Sequence, residues 1–229
     1  MKRLFLILTI GLLASCNDAL VTDIEKQAVD SVLEYYGGIC HRSKGFNSKN
    51  GKTTTYFELK MSKSEAIEGQ MNKVHLPSSN VAYIFYKNLK EEKKNYNSIH
   101  VILTSKDNTE QEFIFPITLL ERVEKRMSLA NKTITLLKEK QYEQLNSMMN
   151  NEIIPFDKEQ LIPRLKKIEP EFGNIKEFLF FGFKVVPYKS KNLLHLSGVI
   201  IRDKKDHQFS IDIDFDSDKN EIYQLQYKL

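Results

Sequence analysis

The chain reads as an α+β protein of two domains, each an antiparallel sheet packed with helices. Three observations predict this. Helix-period runs such as Asp23–Tyr36 alternate with period-two runs such as residues 53–61. The second half places helices first and then four consecutive strand-like segments, the order of an antiparallel meander with helices on one face. The length of 229 residues suits one or two domains of about 100–150 residues each.

Residues 1–16 begin the chain with MKRLFLILTIGLLASC. Lys2 and Arg3 give a short positive start, and residues 4–13 form an apolar run too short to cross a bilayer. This is the layout of a secretory leader. Its last four residues, Leu13-Ala14-Ser15-Cys16, resemble the bacterial lipoprotein box. The resemblance implies that the leader, residues 1–15, is removed. It also implies that Cys16 carries a diacylglyceryl thioether and an amide-linked acyl chain such as palmitate. One acyl chain holds a protein only marginally, whereas two or more anchor it stably. The expected site residue is therefore Cys16, the lipid attachment point, in a bacterial cell-envelope protein held on the inner or outer membrane and facing the periplasm or exterior.

Residues 16–22 then form the lipidated cysteine and its tether. Ile24, Ala28 and Val32 fall at helical spacing, so residues 23–36 read as a helix that Gly37-Gly38 ends. Residues 39–42 start a strand, and residues 45–51 read as a polar loop. Residues 53–61 alternate, with Phe57, Leu59 and Met61 on one face. Ser62 and Glu65 match a capping box for a short helix. Pro77 reads as an interruption, and residues 79–94 as the next helix. Residues 99–104 and 112–116 read as a hairpin turning at Lys106-Asp107-Asn108.

Thr118 and Glu121 match another capping box. The helix after them runs either unbroken to about Lys140 or in two pieces parted near Ser128. The expected domain boundary falls here, giving domains of residues 23–122 and 123–229. In the second, residues 142–149 form a short helix that Pro155 ends. Asp157 and Gln160 cap another, ending before Pro170. Strands follow at residues 175–187, 193–202, 208–215 and 221–227, joined by turn-rich segments. This order, with its final hairpin Phe215-Asp216-Ser217-Asp218-Lys219-Asn220-Glu221-Ile222, resembles the nuclear transport factor two-like, cystatin-like cone fold over about residues 130–229. That fold hosts enzymes and binding modules alike, so the resemblance implies a concave pocket and no particular chemistry.

Composition narrows the partners. Removing Lys2 and Arg3 with the leader takes 34 basic residues to 32, against 30 acidic ones. A near-balanced charge is no nucleic-acid footprint. With Cys16 lipidated, Cys40 has no partner for an internal disulfide and is expected to be buried.

Chemical motifs fail on spacing. In GFNSKNGKT, residues 45–53, five residues rather than four part the first glycine from Gly-Lys-Thr, and a strand pattern rather than a helix follows. Asp212, Asp214, Asp216 and Asp218 alternate like calcium-loop acids. Counted from Asp214, however, the sixth position is Lys219 and the twelfth Leu225, so they read as the watered face of a strand. Cys40 and His41 are neighbours on a strand and point to opposite faces. His41, His75, His100, His195 and His207 show no zinc spacing. The aromatics of residues 178–183 and 223–227 read as core. The expectation is no catalytic residue, metal or cofactor, and a non-catalytic role binding a small molecule or an envelope protein. The alternatives are an enzyme with a pocket in the second domain and an immunity-type or structural lipoprotein.

Overall fold

The computed structural model describes residues 21–150 and 158–228. The leader, Cys16, Pro155 and Asp157 lie outside the described residues. Helix α1 (Asp23–Tyr36) opens on a capping box at Thr22. The Thr22 hydroxyl accepts from the Glu25 amide at 3.1 Å, and the Glu25 carboxylate accepts from the Thr22 amide at 2.8 Å. Ala28, Val29, Val32 and Tyr36 form its buried face. Gly38, at φ 81°, turns the chain away, where a Cβ would sit 2.5 Å from the Ser62 carbonyl.

The first sheet has the order β1-β2-β3-β4, with β1 Ile39–Lys49, β2 Lys52–Ser62, β3 Ser98–Thr104 and β4 Glu110–Pro116. It is antiparallel except for β2 and β3, which run parallel. The exception follows from the crossover between them, which carries α2 (Glu65–Glu68) and α3 (His75–Asn88) over one face. Phe57, Leu59 and Met61 on β2 and Ile99, Val101 and Leu103 on β3 are buried together against α1 and α3.

Several boundaries differ from the sequence reading. Residues 45–49 continue β1, and the turn is confined to Asn50-Gly51, both at positive φ as a tight hairpin requires. Ser64, not Ser62, caps α2 by accepting from the Ile67 amide. Pro77 sits in the first turn of α3, where its missing N–H costs no hydrogen bond. Helix α4 (Ile117–Lys138) starts after Pro116 with no side-chain cap, so Thr118 and Glu121 form no capping box. It is one unbroken helix through Arg122, Val123 and Ser128.

Among the described residues α4 is followed by α5 (Tyr142–Ser147) and α6 (Lys158–Phe172). The latter runs past Pro170 rather than ending before it. The second sheet is an antiparallel meander in the order β5-β6-β7-β8, with β5 Ile175–Tyr188, β6 Lys191–Arg202, β7 His207–Asp214 and β8 Ile222–Lys228. The fold is thus α+β, with two four-stranded sheets each packed with helices. Leu194, Leu196 and Ile200 on β6 and Phe209, Ile211 and Ile213 on β7 form the buried face.

Helix α3 covers the β5 edge. The Ser79 hydroxyl accepts from the Phe183 amide at 2.8 Å, and the Asn80 amide donates to the Phe180 carbonyl at 3.0 Å. The Tyr35 hydroxyl donates to the same carbonyl at 2.5 Å. An edge strand left open would offer these groups to another chain. The first half therefore closes the sheet of the second.

Candidate functional site

Along β6, β7 and β8 the side chains alternate, so each strand offers an apolar row and a polar row. Helix α6 lies beside them with Leu161 and Leu165 buried. Between these elements is an open groove of about 850 Å³. Its apolar wall is made by Leu161, Leu165 and Ile168 of α6 with Phe209, Leu225 and Tyr227 of the sheet. Its polar wall carries His195, Ser197 and Ser210. Lys73, Arg164, Lys167 and Lys228 add positive charge at the rim. Glu171 is the acid among the lining residues, and it is paired with Lys205 at 3.1 Å. Among the described residues, none of the four cations has an ion-pair partner.

His195 and Tyr227 in the groove, and His75 near it, have chemical potential. His195 Nδ1 lies 2.6 Å from Asp212 Oδ1, so the carboxylate orients the ring. His75 is held below the usual imidazole range, first by burial and then by the positive charge of Lys184, His195 and Lys73. The Tyr227 hydroxyl is buried and has no hydrogen-bond partner among the described residues. Burial pushes its pKa up, so it stays a neutral donor and acceptor.

At the far end of the aromatic wall, Arg202 Nε donates to His207 Nε2 at 3.0 Å, and His207 Nδ1 lies 3.2 Å from the Gln208 carbonyl. The ring accepts at Nε2 and donates at Nδ1, which is a neutral imidazole. Phe172 meets it edge-on and Tyr227 packs beside it.

The aspartate run does not form one watered face. Asp212 turns to His195, and Asp214 is 1% exposed. A register shift between Asp212 and Ile213 breaks the alternation, so Ile213, Asp214 and Phe215 are buried in succession. Asp214 accepts from the Asp216 and Ser217 amides, both at 2.9 Å, and from Lys191 at 3.3 Å. Asp216 pairs with Arg122 at 2.9 Å and Asp218 with Lys125 at 2.8 Å, which docks this turn on α4. Their partners are the His195 ring, cations, amides and the Tyr223 hydroxyl, and among the described residues no cluster of three metal-ligating side chains occurs.

The remaining motifs fall elsewhere. Residues 45–53 are hairpin, not a phosphate loop. Cys40 is half-buried, and burial pushes its thiol up to about 12. Its sulfur lies near the His41 carbonyl, not the imidazole. Of the aromatics read as core, Phe183 and Tyr223 are buried, whereas Tyr227 lines the groove. The groove itself draws on Lys73, α6 and three strands. Its only signal in the sequence was the four-strand order, which implied a concavity without naming its residues. Among the described residues no helix is long and apolar enough to cross a membrane. No family model, curated protein or solved structure matches the chain.

Proposed function

We propose that this is a membrane-anchored envelope lipoprotein, held by acyl chains on Cys16, whose second half binds a small amphipathic ligand without transforming it. The anchor is supported by the leader and by the resemblance of residues 13–16 to the lipoprotein box. The binding role is carried by one observation, the groove with an apolar wall, an unpartnered Tyr227 hydroxyl and four cations at its rim. Such a surface favours a ligand with an apolar body and an anionic end.

The test is titration of a fluorescent long-chain fatty acid into the mature chain. Saturable binding is expected, weakened at least about tenfold, or about 1.4 kcal/mol, by Arg164→Glu with Lys167→Glu, and abolished by Ser210→Trp, which fills the groove. No saturable binding, or binding that ignores these changes, would refute the reading.

An enzyme using the same groove is the second reading, and the His195–Asp212 pair favours it. A carboxylate-oriented imidazole can serve as a general base. This reading requires a turnover that follows the protonation of one imidazole and disappears in His195→Ala.

A further inference from the structure

We propose that the tip of the β1–β2 hairpin is a membrane-contact element that seats the anchored protein on an anionic bilayer. The inference rests on the lipid-anchor reading. Strand β1 pairs with β2 along its whole length, but β3 joins β2 only from Tyr56 onward. The four pairs from Phe46–Thr55 to Lys49–Lys52 therefore extend past the sheet as a two-stranded ribbon. At about 3.4 Å per residue the ribbon reaches some 13 Å beyond the sheet.

The ribbon carries an unusual set of side chains for a water-exposed tip. Phe46 is 71% exposed, the most exposed large hydrophobic among the described residues. Lys49 and Lys52 are exposed beside the turn. No acidic residue occurs between Glu34 and Glu58. An aromatic ring flanked by lysines and uncharged polar groups matches an interface in which the ring enters the headgroup layer and the cations meet lipid phosphate.

The placement of the ribbon makes the contact geometrically available. Lys44, two residues before Phe46, pairs with Glu25 at 2.7 Å. Glu25 belongs to the first turn of α1, which Thr22 caps. The root of the ribbon and the start of α1 are thus at one end of the molecule. Thr55, at the base of the ribbon, is tied to the same end, because its amide and hydroxyl bond Asn97 and Asn95. From Cys16 to Val21 are five residue steps, which span at most about 18 Å. Acyl chains on Cys16 therefore hold the bilayer within reach of a ribbon that projects some 13 Å from the same end.

The chain has no tryptophan, so one placed at position 46 is a sole reporter. The lipidated Phe46→Trp chain is reconstituted in vesicles of phosphatidylethanolamine and phosphatidylglycerol containing brominated phospholipid. Ile114→Trp serves as the comparison, at a residue 57% exposed on β4. The expected result is a blue shift and at least twofold quenching at position 46, little quenching at 114, and loss of the effect with Lys49→Glu and Lys52→Glu. Equal quenching at both positions, or none at 46 in a chain whose mass shows the acyl groups, would overturn the inference while leaving the anchor intact. If mass shows no acylation, the same reporters are read on chain added to the vesicles. Quenching confined to position 46 then keeps the ribbon contact and removes the anchor, and no quenching removes both.

Discussion

A Cβ placed on Gly182 would sit 2.1 Å from the carbonyl oxygen of Leu76. This backbone approach, at the irregularity in β5 after Phe180, is what lets α3 lie along the sheet edge. Gly182 also has φ 147°, a conformation that side chains rarely adopt. Gly182→Ala is therefore expected to cost about 3 kcal/mol, or roughly 6–12 °C in melting temperature. Ser79→Ala, which removes the acceptor for the Phe183 amide and the donor to the Leu76 carbonyl, should cost about 1 kcal/mol. Thermal melts of both, with equal small losses, would show that the junction is not built on this contact.

His207 predicts a pH dependence. Burial lowers its pKa and outweighs the Gln208 carbonyl, which raises it, and the neighbouring Arg202 charge lowers it further. The folded state thus resists a proton that the unfolded chain takes up near pH 6.5. Stability from this group is complete above about pH 6.5 and falls as pH drops below it, until the lowered folded pKa is reached. His207→Gln should flatten the stability curve over that interval, as measured by urea unfolding at a series of pH values.

Asp214 acts in a lower window. Burial pushes its carboxyl up, but the amides of Ser217 and Asp216 and the Lys191 ammonium outweigh burial and hold it below the usual range. Its contribution is present above about pH 3.9 and is lost as pH falls further toward the folded pKa. Asp214→Asn should cost about 2 kcal/mol at pH 7 and remove this acid-side loss.

Cys40 should be a sluggish thiol. With its pKa pushed up to about 12 by burial, little thiolate exists at pH 8. In a Cys16→Ser chain, Cys40 is the sole thiol. Its reaction with an aromatic disulfide reagent should be roughly a thousandfold slower than that of free cysteine, and should become fast on unfolding.

Tyr227→Phe separates folding from binding. The hydroxyl makes no hydrogen bond among the described residues, so its loss should leave stability unchanged or slightly raised, within about 1 kcal/mol. Fatty-acid affinity should fall severalfold, because the groove loses its buried polar contact. A variant that loses stability but binds normally would place the hydroxyl in the fold rather than in the site.

Strong periodicity was readable from the chain alone. The alternation at Phe57, Leu59 and Met61 and the spacing of Ala28 and Val32 predict elements that the structure contains, because burial on one face demands that pattern. Residues 45–49 escaped, since a ribbon exposed on both faces has no buried row to reveal it. Pro77 and Pro170 misled for a related reason. Proline breaks a helix interior, but Pro77 stands in a first turn where no N–H is needed, and Pro170 in a last turn that simply runs on. Asp214 was hidden by a register shift, which no period-two count can foresee. The groove was least legible, because Lys73, Arg164, His195 and Tyr227 meet only through tertiary packing.

Native mass spectrometry of the Cys16→Ser chain, expressed in a bacterial envelope and purified gently, shows whether the groove holds a ligand. Without covalent acyl groups, any added mass must be bound. A retained amphiphile that Ser210→Trp displaces is the predicted result. A bare chain in both would mean that the groove retains no ligand.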